Sequence, residues 1–207
     1  MNRRLAGFLI FIAFVSVAGE ARAQTLSDAE REALLSRLRK SRTNLEQATT
    51  GLSAAQWRFK PGVFRWSVAE CVEHIALAED FLFNILNEQV MKAPAPTTAK
   101  DPTAAARVDQ TIINLGSDRS SRFQAPEPTR PKHQNATPQE LLNRFYASRN
   151  RTLEFARGSR ELRAHCMDTP LGKCTDGYQW LLLVAAHSER HTAQLLEVKA
   201  DPKFPKQ

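Results

Sequence analysis

DGYQWLLLVAAHSERHTAQLLEVKA, residues 176–200, reads as one long helix. Asp176 stands three residues before Gln179, the spacing at which a capping side chain and an answering amide satisfy the free N–H groups of a first turn. Pro202 and Pro205 prevent extension past about Ala200. Trp180, Val184, His187, His191, Leu195 and Val198 step by 4, 3, 4, 4 and 3 and so share one face. Two histidines therefore occupy a stripe where a core-facing helix carries aliphatic residues. A single inward histidine is ordinarily a hydrogen-bonded core residue. Two on adjacent turns each need polar partners at both ring nitrogens, and a shared metal ion with outer acceptors would supply them. Spacing alone leaves both readings open.

Working outward, three more long amphipathic segments appear. The first runs from Thr25 to Thr50, with Ser27 and Glu30 as a capping box, Leu34, Leu35, Leu38 and Leu45 as its stripe, and Gly51 as its stop. A turn-rich connector, Leu52 to Arg65, carries Trp57, Phe59, Pro61 and Gly62. Ser67 with Glu70 opens the second long helix, whose apolar residues Val68, Cys71, Val72, Ile75, Ala78, Leu82, Ile85 and Leu86 lead to about Met91. Three prolines between Ala93 and Pro102 break the chain. Thr103 to Leu115 is expected to form a lesser helix, and Gly116 to Ala136 an irregular surface excursion. Thr137, Pro138 and Glu140 start the third main helix, which runs through Leu141, Leu142, Phe145, Leu153 and Phe155 to Gly158. No segment shows sustained strand alternation. The expected fold is an all-α, antiparallel-type four-helix bundle, with a proline-rich excursion between the second and third main helices.

The 207 residues are 42% hydrophobic and 25% charged, an ordinary globular mix. Met1 to Arg4 is basic, Leu5 to Ala18 almost wholly apolar, and Ala21-Arg22-Ala23 offers a small-x-small cleavage site. This is the pattern of a signal peptide over residues 1–23, leaving one domain over 24–207 that is exported, periplasmic or secreted. The apolar run is short for a bilayer span, and no stable membrane span is expected after cleavage. Of the formal net charge of +7, the leader carries +2. The remaining basic residues form no stripe with aromatics, so nucleic acid is not an expected partner.

His74, on the inner side of the second helix, is the candidate third ligand to His187 and His191. Cys71, one turn earlier, either adds a sulfur or is a small buried apolar residue. His133 in the excursion and His165 in the last connector read as surface residues. Glu189 does not follow the first histidine directly, as in zincins, but two residues on; it faces away and reads as a solvated acid. Cys166 and Cys174, in a connector with Pro170 and Gly172, are expected to pair under oxidising conditions, leaving Cys71 as the free thiol.

Leu52-Ser53, Phe59-Lys60-Pro61 and the run Trp66-Ser67-Val68-Ala69-Glu70-Cys71-Val72-Glu73-His74-Ile75 resemble the opening motif of the DinB/YfiT-like superfamily. His187-x-x-Arg190-His191-x-x-Gln194 resembles its closing motif. The resemblance spans about Leu26 to Ala200 and implies a four-helix bundle with a metal held by His74, His187 and His191. It also implies chemistry of the thiol-dependent transferase and isomerase kind, in which a low-molecular-weight thiol takes part. The export signal and the long proline-rich segment depart from the family pattern.

Three neutral nitrogen donors with an open position suit a divalent ion, zinc first, then nickel, iron or manganese. No Ser-His-Asp set, phosphate loop or acidic catalytic pair is visible, and no general base stands out. Gln194 is either a residue that orients a ligand or a polar residue near a helix end. Two functions follow: a metal-dependent transferase or hydrolase acting on a small molecule, or a bundle that binds metal or ligand without turnover. A purely structural bundle with buried histidines is the third. The oligomeric state is open, a dimer included.

Overall fold

A computed structural model describes residues 25–98, 100–121, 123–132 and 136–206. The leader and His133 lie outside the described residues. Among the described residues there are four long helices, α1 (Asp28–Thr49), α3 (Val68–Ile85), α5 (Pro138–Gly158) and α6 (Gly177–Lys199), with α2 (Ala54–Arg58) and α4 (Pro102–Leu115) between them. Each long helix, and α2, opens on a reciprocal capping box at Ser27, Ser53, Ser67, Thr137 or Asp176. These caps satisfy amides that a first turn leaves unpaired, so the starts follow from local chemistry. Gly51, at φ 73°, turns the chain after α1 in the left-handed region that side chains avoid. Among the described residues, no helix is long and apolar enough to cross a membrane.

Two apolar clusters fill the bundle. One joins Leu34 and Leu38 of α1, Leu86 beyond α3, Leu153 of α5 and Leu181 of α6. The other joins Leu45 of α1, Val72 of α3, Phe145 of α5 and Leu195 of α6. The first takes the early half of α1 and α6 but the late end of α3 and α5; the second takes the reverse. So α1 and α6 run one way, and α3 and α5 the other. Helix α1 packs on α5 and α6, and α3 packs on the same two. Adjacent pairs α1/α6 and α3/α5 are therefore parallel, which departs from the simple alternation expected of an antiparallel bundle. Parallel neighbours need a connection that returns the chain along the bundle. Residues 86–137 make that return between α3 and α5: a π-helical turn (Leu86–Val90), then α4 packed on α6, then a 3-10 turn (Glu127–Thr129) packed on α3. The excursion is thus a structural return path.

The second departure is a β-hairpin in the last connector, β1 (Cys166–Thr169) paired antiparallel with β2 (Gly172–Asp176). The expected Cys166–Cys174 disulfide staples it, and the hydroxyls of Thr169 and Thr175 meet at 2.7 Å. His165, expected at the surface, is half-buried, and its Nδ1 donates to the Ala93 carbonyl at 2.6 Å. Arg163, in the same connector, pairs with Glu30, Asp109 and Asp176, tying it to α1, α4 and the cap of α6.

Between the apolar clusters lies a buried polar layer with one residue from each main helix: Ser41, Glu79, Arg149 and Ser188. Arg149 donates to both Glu79 oxygens, to Ser188 Oγ at 2.8 Å, to Ser41 Oγ at 2.5 Å and to the Leu38 carbonyl at 2.6 Å. A guanidinium and a carboxylate can be buried together because each answers the other and the hydroxyls take the remaining sites.

Candidate metal centre

Helix α3 carries His74 in its second turn, where Val72, Ile75 and Ala76 anchor the helix in the apolar cluster. Helix α6, which runs against α3, carries His187 and His191 on the side turned toward it. The adjoining stripe of α6, along Leu181, Ala185, Ser188 and Thr192, is buried more deeply in the bundle, Ser188 against Glu79 of α3. His187 and His191 are accordingly half-buried and line a cavity instead of sitting sealed in the core, while His74 is buried behind them.

The three histidines meet. His74 Nε2 lies 3.1 Å from His187 Nε2 and 3.2 Å from His191 Nε2, and one donor atom from each falls within 4.8 Å of the other two. Their outer nitrogens explain why these atoms converge. His74 Nδ1 is 2.7 Å from the Thr129 carbonyl, and His191 Nδ1 is 2.8 Å from Gln194 Oε1. Both partners are acceptors, so both Nδ1 atoms carry the proton and both Nε2 atoms present lone pairs. Burial and the neighbouring imidazoles push His187 well below the usual imidazole range, and burial with the nearby His74 takes His191 to about 3. Burial also lowers His74, despite the Thr129 carbonyl, which favours its protonated form. At neutral pH the rings are uncharged. A hydrogen on His187 could serve one contact, but His74 and His191 still face each other with lone pairs at 3.2 Å. A cation between the nitrogens removes that repulsion. Nitrogens bound at about 2.0–2.1 Å to one zinc-sized ion, at roughly right to tetrahedral angles, stand about 3 Å apart, so the donor set fits such an ion.

Other sequence candidates fall elsewhere. Cys71 is buried among apolar residues, and burial with the adjacent Glu70 pushes its thiol up to about 12, unsuited to a thiolate ligand. Glu189 faces away from the histidines as expected, but it is not solvated: it pairs with Arg37 of α1 and is half-buried. Gln194 uses its carbonyl oxygen on His191, so it holds a ring in place. Thr129 was not visible as a site residue, because a backbone carbonyl leaves no trace in side-chain patterns. Trp66 covers the cluster, its ring centroid 4.7 Å from that of His74 and 5.9 Å from that of His191.

The model of the DinB superfamily matches residues 37–195 of this chain. "Uncharacterized protein YuaE" of Bacillus subtilis (strain 168) is 23% identical over 150 residues, covering 72% of this chain and 86% of that protein. Among solved structures, YfiT from Bacillus subtilis superposes with a TM-score of 0.52 at 16% identity, over 85% of this chain and 89% of its own. That structure is described as "a probable metal-dependent hydrolase with an unusual four-helix bundle topology". At such identity the likeness is one of fold.

Proposed function

This chain belongs to the DinB superfamily, and from that premise we propose that it is an exported metal-dependent enzyme that uses His74, His187 and His191 to hold one divalent ion and acts on a small molecule. The observation that carries the reading is the meeting of Nε2 lone pairs 3.2 Å apart with their protons held on the far side by Thr129 and Gln194. Neutral imidazole donors favour zinc, with nickel, iron and manganese the alternatives. When bound, such an ion supplies Lewis acidity, lowering the pKa of a coordinated water or thiol and polarising a ligand oxygen.

The chain's own residues do the rest. The Thr129 carbonyl and Gln194 amide fix the tautomers and aim the rings, and the Trp66 ring shields the cluster from bulk water. Among the described residues, the one carboxylate lining the cavity is Glu197, and its hydrogen bonds to Arg119 hold it below the usual carboxylate range. Among the described residues lining the cavity, no carboxylate is poised as a base, which leaves the ion to activate the nucleophile. Hydrolysis by an activated water and transfer from a low-molecular-weight thiol both suit that arrangement. The same lack of a base supports the second reading, a bundle that binds metal or ligand without turnover. The Cys166–Cys174 disulfide supports an oxidising, exported setting.

Metal analysis of purified protein tests the site. Wild type and His165→Ala are expected to carry about one equivalent of divalent ion, and His74→Ala, His187→Ala and His191→Ala far less, with helicity retained. Equal occupancy in all five would show that the histidines are not the ligands.

A further inference from the structure

The imidazoles form one wall of a cavity of about 550 Å³, within the usual size for small-molecule sites. Its other walls have a different chemistry. Phe64, before α3, and Phe123, in the excursion, stand at its rim with exposures of 99% and 70%. Two separate segments thus each hold a phenyl ring in water beside the same opening, with Trp66 deeper between the rim and the histidines. That much exposed aromatic area at a cavity mouth marks a binding surface for an apolar group.

Charge is equally uneven. Among the described residues, Arg65, Arg119 and Arg190 line the cavity against a single carboxylate, Glu197. Glu197 is already engaged by Arg119, through Nε at 3.0 Å and Nη2 at 3.2 Å, with Arg65 Nη2 at 3.7 Å. Arg190 is only 7% exposed. It donates to the carbonyls of Leu115, at 3.4 Å, and Ser121, and its guanidinium stands 5.2 Å over the Phe123 ring. Among the described residues it forms no ion pair. Its hydrogen bonds among the described residues go only to neutral oxygens, and the carboxylates of Asp118 and Glu197 act on it without touching it, so an arriving anion is the group that would pair with it directly.

We propose that this cavity takes an amphipathic anion: a small molecule whose aryl or alkyl body packs on Phe64, Trp66 and Phe123 and whose single carboxylate pairs with Arg190. The remainder of such a molecule lies toward the imidazole nitrogens. The inference rests on the cavity being the substrate site, as the proposed function has it, but not on an ion being bound.

Calorimetry on the mature chain, both chelator-treated and zinc-loaded, can test it with three probes: 4-phenylbutyrate, its uncharged counterpart 4-phenylbutan-1-ol, and butyrate. In chelator-treated protein, phenylbutyrate is expected to bind about tenfold or more tighter than either control, and only the carboxylates should weaken as NaCl rises. Arg190→Gln should weaken phenylbutyrate far more than the alcohol and so bring the two together, whereas Arg190→Lys should keep part of the preference. Glu197→Gln, which frees Arg119, should tighten the carboxylate, a gain that misfolding cannot produce. Phe123→Ala should weaken both phenyl probes. Equal binding of acid and alcohol, no binding of either, or a preference that survives Arg190→Gln would overturn the proposal. So would a preference seen only after zinc loading, since the carboxylate would then be a metal ligand. Anion preference without metal uptake would instead refute the metal centre and leave this proposal standing.

Discussion

Removing Arg149 should cost far more than removing Arg149 and Glu79 together. In Arg149→Met the Glu79 carboxylate, 2% exposed, keeps, among the described residues, only the Ser188 hydroxyl at 2.9 Å as a donor. Breaking a buried pair in this way costs about 3–5 kcal/mol, a large share of the roughly 5–15 kcal/mol that holds a domain folded. Glu79→Met leaves the guanidinium with neutral acceptors and falls in the same range. In the double variant no charge is buried. Ser41 still donates to the Leu38 carbonyl at 3.1 Å, and the Ser188 hydroxyl, freed from Glu79, can turn to the Val184 carbonyl 3.3 Å away, so neither hydroxyl is orphaned. Methionine fills much of the volume, and the double variant should lie within about 2 kcal/mol of wild type. Urea denaturation followed by far-UV circular dichroism at fixed pH gives all four values. The reasoning fails if the double loses the sum of the singles, because the two groups would then not be coupled. It fails equally if Arg149→Met costs less than about 1 kcal/mol.

Three further outcomes follow. Metal-free protein should lose stability as pH falls below the unfolded-state histidine value of about 6.5. The folded pKa values of His74, His187 and His191 are lowered, to about 3 for His191, so across that window the unfolded chain binds more protons. Each such histidine contributes a slope of up to about 1.4 kcal/mol per pH unit, and a flat urea-midpoint profile from pH 7 to 5 would contradict the neutral, proton-resisting imidazoles described here. Gly116→Ala should destabilise by about 1–3 kcal/mol, because its new Cβ would lie 2.6 Å from Glu189 Oε2 and 3.2 Å from the Ala186 backbone. Gly158→Ala, with nothing within 4 Å, is the control and should be neutral or stabilising by urea midpoint. Protein recovered from its native host should begin near Gln24 and, denatured without reductant, show one free thiol, Cys71; an intact Met1 form or three free thiols would count against export and pairing respectively.

What the sequence revealed and what it hid divide along a physical line. Local chemistry was legible: the Ser27, Ser67, Thr137 and Asp176 caps lie in the sequence and start the four long helices. The metal candidates were legible too, because His187 and His191 share a helix face and His74 stands on the inner side of the second helix, where the motif resemblance also puts a ligand. The polar layer is written in the sequence as well. Leu141, Phe145, Arg149 and Leu153 step by four, so a charge sat inside an apolar stripe as plainly as the histidines did. The hairpin was hidden because strands of four and five residues are too short for alternation to stand out.

Helix direction was the largest thing hidden, and it decides the rest. A stripe of leucines says which face is buried, not which way the neighbour runs. Once α3 and α5 are parallel, the chain between them must travel the length of the bundle, and residues 86–137 have to cover a face of it. That path carries the Thr129 carbonyl to His74, Phe123 to the cavity rim and Arg119 to Glu197. A simple alternating bundle would need only a short turn there and would leave the imidazoles open to water. The segment that looked least structured in the sequence is thus the one that aims His74 and shapes the cavity. Substitutions in it should alter ligand binding before they alter the helices.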